Sequence, residues 1–451
     1  MSMHTMLTRW AAAAVVAVFG ATMPAAQSAP VDGDRGGVLV IAGGSVKSDN
    51  EALYRAFIDA MPEDGGKTVA VISAASLSPV ASARRFAELL ASYGVPEDRT
   101  TVVQLAVCDD ESTPDIDESD WSGNASDSVE IAKIQSAAAI WISGGDQSRL
   151  TDVLFDDNGE ATPMLVALRQ RFAEGAVVGG TSAGAAVMSD PMITGGDSIA
   201  ALLNSEAAGE MLTSARGFGF FDAGLVDQHF GQRARFGRLA VALQLLEPAR
   251  RLGFGIDENT ALVYRSTSNS IAVIGTGSVT FLDARGASWR SLPGGIFVSN
   301  LRVSVLSPGD TMNLSDGSFT PAPHLRRTAG NEYHKRPAIS GGGITLAYNG
   351  LADLIGAELL DNSGANQLER YGFIVKGGQL GAGAEESGPN GAGARFRFTQ
   401  TAESEGYWGY GADGAPRYSV RNVRVDIEPV SLAIRPAGDT RAGQHPVSPS
   451  R

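Results

Sequence analysis

The stretch Val177-Val178-Gly179-Gly180-Thr181-Ser182-Ala183-Gly184-Ala185-Ala186 places a serine where an apolar run gives way to small, helix-forming residues. A strand that turns this sharply into a helix holds the residue at its tip in a strained conformation. Only small neighbours then leave the Oγ open to an approaching carbonyl. Gly180 and Gly184 provide that room. The Ala183 N–H falls at a helix N-terminus, where its partial positive charge can face a developing oxyanion. By itself, Gly-x-Ser-x-Gly fits a glycine turn with an incidental serine just as well. Acyl transfer requires a base and an orienting acid in addition.

Past residue 30, histidine occurs only at 229, 324, 334 and 445. His445 lies in a polar tail, and His324 and His334 flank a basic, proline-containing stretch, so all three read as surface residues. His229 instead ends the apolar run Leu225-Val226-Asp227, within Asp227-Gln228-His229-Phe230-Gly231-Gln232-Arg233-Ala234-Arg235-Phe236-Gly237-Arg238. A carboxylate must fix the imidazole tautomer. Glu258, just past Phe254-Gly255-Ile256, is the expected partner; Asp257 and Asp227 are rivals that spacing alone does not separate. On a helix from Arg233 to Leu246, Arg235 and Arg238 share a face and Arg233 stands in the first turn. Cations there oppose the helix dipole, so three of them beside a histidine point to an anionic ligand, against the plainer reading of solvated helix-start arginines.

The elements that must position these residues follow a βαβ rhythm. Strands are expected at Val38–Ile41, Val69–Ile72, Val102–Val107 and Ala139–Ile142, with helices at Asn50–Ala60, Val80–Tyr93, Val129–Ala137 and Met164–Phe172. This is an α/β fold with a doubly wound, mainly parallel sheet, whose strand ends gather the ligand site. Residues 109–127 break the rhythm with acidic side chains and read as a solvated surface insertion. The catalytic domain is expected over 36–310, a linker over 311–337, a C-terminal mainly β domain over 338–436, and a disordered tail over 437–451. In the β domain, Tyr407, Trp408 and Tyr410 read either as core or as an exposed aromatic patch.

Residues 1–29 hold a single charged side chain, Arg9, followed by an apolar run and small residues, the pattern of a secretory signal peptide too short to span a membrane. The protein is therefore expected outside the cytoplasm, extracellular or periplasmic. Its formal charge is −14 with the leader included. Such an acidic chain has no basic tail for nucleic acid. Cys108 is the only cysteine, so no internal disulfide is possible, and its place at the end of an apolar run beside an acidic loop reads as structural. No membrane span and no metal or cofactor is expected. The oligomeric state is open, with a homodimer as one option.

Together, the Ile142-Ser143-Gly144-Gly145-Asp146-Gln147 turn, the elbow at Gly179 to Ala186, the Asp227 to Arg238 run and the Gly253 to Leu262 segment resemble the cyanophycinase family. These are serine peptidases that degrade cyanophycin, a poly-aspartate with arginine on each β-carboxyl. The resemblance covers residues 36 to 300 and extends more widely to aspartyl dipeptidase E and the class I glutamine amidotransferase-like fold. It implies Ser182 as nucleophile, His229 as base, Glu258 as orienting acid, and Gly145 with Ala183 as the oxyanion hole. It further implies Gln147, Asp227, Gln228, Arg233, Arg235 and Arg238 as the substrate pocket, with exo-type cleavage to β-Asp-Arg dipeptides. Its alternatives are an exported aspartyl or isoaspartyl dipeptidase and a non-catalytic surface protein that binds acidic or zwitterionic ligands.

Overall fold

The computed structural model describes residues 36–62, 66–342, 350–375 and 390–433. The expected leader and the tail at 437–451 lie outside them. Five strands, β1 (Val38–Ala42), β2 (Val69–Ile72), β3 (Thr100–Val102), β4 (Ala139–Ile142) and β5 (Val177–Thr181), run parallel in the order β1-β5-β4-β2-β3. Their continuous apolar runs are covered on both faces, as parallel strands require. Leu39 and Ile41 belong to the core on one side, while Val40 and Ala42 belong to the core on the other. The helices Glu51–Asp59 and Pro79–Ser92 pack Leu53, Phe57, Phe86 and Leu90 onto the second side.

The expected strand Val102–Val107 is shorter than its apolar run. The chain leaves the ladder after the Val103 N–H, which still donates to the Val71 carbonyl at 3.0 Å, and the Gln104 N–H goes to Glu130 Oε2 at 2.7 Å. Val103 and Leu105 still fill the core. In the acidic insertion, Asp110 and Glu118 are buried rather than solvated. Glu118 accepts from the Asp110 N–H at 2.9 Å and from the Thr113 hydroxyl, and Asp110 accepts from the Ala81 N–H at 2.9 Å, so these carboxylates staple the loop.

Beyond β1 the sheet turns antiparallel, continuing through Thr260–Arg265, Ser270–Gly275, Thr311–Asn313 and Phe319–Thr320 to nine strands. It is mixed rather than mainly parallel. A second, eleven-stranded sheet begins with the parallel pair Leu225–Gln228 and Leu252–Ile256 and continues through Val279–Asp283 and Gly295–Leu306 to the C-terminal strands Pro416–Ala433, Asn390–Thr399 and Gln367–Val375.

The expected boundary near 338 therefore does not separate two cores. Gly295–Leu306 pairs directly with Pro416–Ala433, and Phe236 packs against Phe396 and Phe398 with ring centroids 5.9 and 6.2 Å apart. The stretch expected as a linker contributes edge strands to both sheets, including Arg326–Arg327 beside Glu405–Tyr410. The glycine-rich strands pair among themselves, while Pro416–Ala433 also pairs with Gly295–Leu306, more than a hundred residues away. Of the aromatics there, Tyr407 packs on Phe319 at 5.6 Å, Trp408 is half-buried, and Tyr410 is 57% exposed.

Candidate active site

β5 delivers Ser182 to its C-terminal end, and the four-residue helix Ala183–Ala186 begins immediately after it. Ser182 has φ 55° and ψ −111°, a conformation an L-residue adopts only under compulsion from its surroundings. The compulsion is close packing. A Cβ on Gly180 would lie 2.4 Å from the Gly184 carbonyl oxygen, and one on Gly184 would lie 2.2 Å from that of Ile142. Any larger residue would push the elbow out of the sheet.

The partners arrive from the other sheet. His229 follows Leu225–Gln228, and Glu258 follows the neighbouring parallel strand Leu252–Ile256, so both stand at C-terminal strand ends facing the end of β5. Ser182 Oγ is 2.8 Å from His229 Nε2, and His229 Nδ1 is 2.6 Å from Glu258 Oε1. The loop after β1 joins the sheets at this point. His229 N–H donates to the Gly43 carbonyl at 2.7 Å and Asn259 N–H donates to the Gly44 carbonyl at 2.8 Å. Gly44 has φ 107°, and a Cβ there would stand 2.2 Å from His229 Cε1, so only glycine lets the imidazole in.

Neither rival carboxylate touches the imidazole. Asp257 accepts from Gly231 N–H at 2.9 Å and from the N–H and hydroxyl of Ser278 at 3.0 and 2.9 Å, which braces the loop behind His229; burial pushes its pKa up. Asp227 is 1% exposed and takes a bidentate pair from Arg238, Nε at 2.8 Å and Nη2 at 2.5 Å.

Burial lowers the pKa of His229 below its ordinary 6.5, helped by the positive charges of Arg233 and Arg235 and opposed by Glu258. The imidazole therefore stays neutral, and able to accept a proton, to a lower pH than a free histidine. Burial alone would raise Glu258, but its hydrogen bond and attraction to His229, with Ser45 and Arg233 adding to them, hold it below the usual carboxylate range. The acid beside the imidazole is thus a carboxylate at neutral pH.

Around Ser182 Oγ, the Ala183 N–H occupies the first helical position, where no intrahelical acceptor exists. The Gly144–Gly145 turn lies alongside, since a Cβ on Gly144 would sit 3.1 Å from Ser182 Cβ. Gln147 opens the helix Gln147–Leu154 and donates from Nε2 to the Thr194 carbonyl at 2.9 Å.

The expected helix from Arg233, with Arg233 in its first turn and Arg235 and Arg238 on one face, is not present. The helix begins at Phe236, because Ala234 takes a left-handed turn with φ 50° and Arg235 occupies the cap position. Arg233 is exposed in the loop, and among the described residues it has no ion-pair partner. Arg235 donates to the backbone and side-chain oxygens of Gln228 and lies 3.5 Å from Asp227; burial lowers its pKa to about 10. Arg238 is 4% exposed and is spent on Asp227 and the Gly196 carbonyl. Of the six residues expected in the pocket, Asp227 and Arg238 form a buried pair, Gln228 and Arg235 bond to each other beside it, Gln147 is tied to Thr194, and Arg233 is exposed.

Sequence reasoning missed Gly44, Gln232 and Asn259. Gln232 Oε1 accepts the Glu258 N–H at 2.9 Å, and Asn259 Oδ1 accepts from Lys47 N–H and Asn50 Nδ2 at 3.0 and 2.9 Å, fixing the loops that carry the acid. Their only local signal was proximity to the motif residues. Among the described residues, no group of three or more His, Cys, Asp or Glu is placed to hold a metal ion, and no helix is long and apolar enough to cross a membrane.

A model of peptidase family S51 matches residues 38–272. A protein of Synechococcus elongatus named cyanophycinase is 32% identical over 290 residues, covering 62% of this chain and 80% of its own length. Another cyanophycinase, from Geminocystis herdmanii, is 33% identical over 288 residues, covering 62% and 94%. The crystal structure of a peptidase from an acI-B1 Actinobacterium is 23% identical with a TM-score of 0.39, over 62% of this chain and 98% of that one. The family match spans more than half of the sequence and ends just past the loop that carries Glu258, so this chain belongs to peptidase family S51 and is a serine-type peptidase.

Proposed function

We propose that this protein hydrolyses cyanophycin from its ends, releasing β-Asp-Arg dipeptides through an acyl-enzyme on Ser182. The supporting observation is the continuous hydrogen-bonded line Ser182–His229–Glu258 at the end of β5, in a chain whose relatives are named cyanophycinase. In this mechanism Ser182 Oγ attacks the scissile carbonyl carbon while His229 Nε2 takes its proton, and the oxyanion faces the N–H groups of Ala183 and Gly145. The C–N bond breaks, His229 returns the proton to the leaving amine, and water attacks the acyl-enzyme by the same route in reverse. Glu258 holds the imidazole tautomer and balances its charge when protonated. The five parallel strands and the elbow fit a class I glutamine amidotransferase-like arrangement. Export, through the leader read in residues 1–29, would bring the enzyme to polymer outside the cell.

The test is product analysis on purified cyanophycin, with Ser182→Ala as the blank. Release of soluble β-Asp-Arg by the wild type alone is the expected outcome, and an untouched polymer would defeat the reading.

The electrostatics add a second expectation. A general base works only when unprotonated, so activity is lost as pH falls through the folded-state pKa of His229, which lies below 6.5. The acid limb of kcat/KM should have its midpoint below that value. A midpoint above it would show that Glu258 outweighs burial.

A further inference from the structure

A substrate unit bearing arginine presents a guanidinium as well as carboxylates, and the guanidinium needs an anionic acceptor. The obvious one is already taken. Both oxygens of Asp227 are bound by Arg238, and the carboxamide oxygen of Gln228 is bound by Arg235. Glu258 is committed to His229.

A carboxylate near Arg235 and Arg238, without an ion-pair partner among the described residues, stands in the loop between the hairpin strands Met192–Gly195 and Thr213–Ala215. Two residues of the expected pocket anchor this hairpin: Gln147 holds the Thr194 carbonyl at 2.9 Å, and Arg238 Nη1 holds the Gly196 carbonyl at 3.0 Å. Gly195 lies between those two carbonyls. A Cβ there would be 2.2 Å from Glu210 Oε1, so the Glu210 carboxylate lies directly against the Gly195 backbone. The backbone of Glu210 is pinned twice to Asp197, by its N–H to Asp197 Oδ2 at 2.9 Å and by its carbonyl to Asp197 N–H at 2.8 Å. Glu210 itself is exposed, and among the described residues its carboxylate has no ion-pair partner, although its charge favours the cationic forms of Arg235 and Arg238.

We propose that Glu210 is a specificity residue that receives the guanidinium of an arginine-bearing substrate. This rests on the functional reading above. A solvent-open carboxylate on a pinned backbone can form the charge-assisted, two-pronged contact that guanidinium groups prefer.

The experiment compares short aspartate-backbone peptides carrying either arginine or its neutral isostere citrulline on the β-carboxyls, using the full-length enzyme and Glu210→Gln. The wild type should favour arginine roughly tenfold or more through KM, and Glu210→Gln should lose most of that preference in KM with little change in kcat. A preference that survives the substitution overturns the inference. So does an equal loss on both peptides, which would mean the residue only supports the hairpin. A wild type that cleaves both peptides with equal KM overturns this inference alone, whereas one that cleaves neither defeats the functional reading and this inference with it.

Discussion

Ser182→Ala is expected to lower kcat/KM by roughly four to six orders of magnitude, the scale seen when a triad nucleophile is removed and only binding and oxyanion stabilisation remain. Stability should hardly move, because the side chain is small and the backbone keeps its place. Ser182→Gly sharpens the test. With φ at 55° and ψ at −111°, the serine stores strain that glycine does not pay, so this variant should be equally inactive yet melt higher, by an amount matching about 1 kcal/mol or more. Both measurements, kcat/KM and thermal midpoint, come from the same three proteins. Activity above about one per cent of wild type in Ser182→Ala would remove Ser182 from the nucleophile role. An unchanged or lower midpoint in Ser182→Gly would show that the elbow is not strained in the way its dihedral angles indicate.

The second large effect concerns folding. Arg238→Met leaves Asp227, 1% exposed, without its bidentate partner, and removing one member of a buried pair costs about 3–5 kcal/mol. Arg235, 3.5 Å from the same carboxylate, recovers part of that loss. Asp227→Leu combined with Arg238→Met removes both charges and should be far more stable than either single change, a coupling that denaturant unfolding of the four proteins measures directly. Arg233→Ala, by contrast, should leave the midpoint where it is, because that side chain is exposed. If Arg238→Met kept wild-type stability and changed only KM, Arg238 would be a ligand of the substrate and not the partner of Asp227.

Much of the framework was legible in the sequence because it is local. The buried runs of β1, β2, β4 and β5 have no polar alternation, which a strand covered on both faces must lack, and the glycines of the elbow announce a close approach that no other residue allows. Scarcity singled out the histidine, since only His229 follows an apolar strand. The third strand is shorter than its apolar run for the same local reason: Leu105 is apolar because it is buried, but burial and ladder pairing are separate requirements, and Glu130 claims the backbone at Gln104.

The kinds of residue and the strand ends on which they stand can be read segment by segment along the chain. Which of them meet depends on how the two sheets pack. Asp227, Asp257 and Glu258 are all carboxylates at strand ends, and the difference between an ion pair, a loop brace and a partner for His229 comes from how the two sheets approach across the Gly43–Gly44 loop. The sequence pattern runs the helix from Arg233 because it cannot register a single left-handed residue at Ala234, which starts the helix later and turns Arg238 inward. The same holds for the C-terminal strands, whose glycine-rich composition suggested a separate domain. Backbone pairing between Gly295–Leu306 and Pro416–Ala433 joins residues that no local signal connects, and hydrogen bonds of that range are chosen by the whole fold.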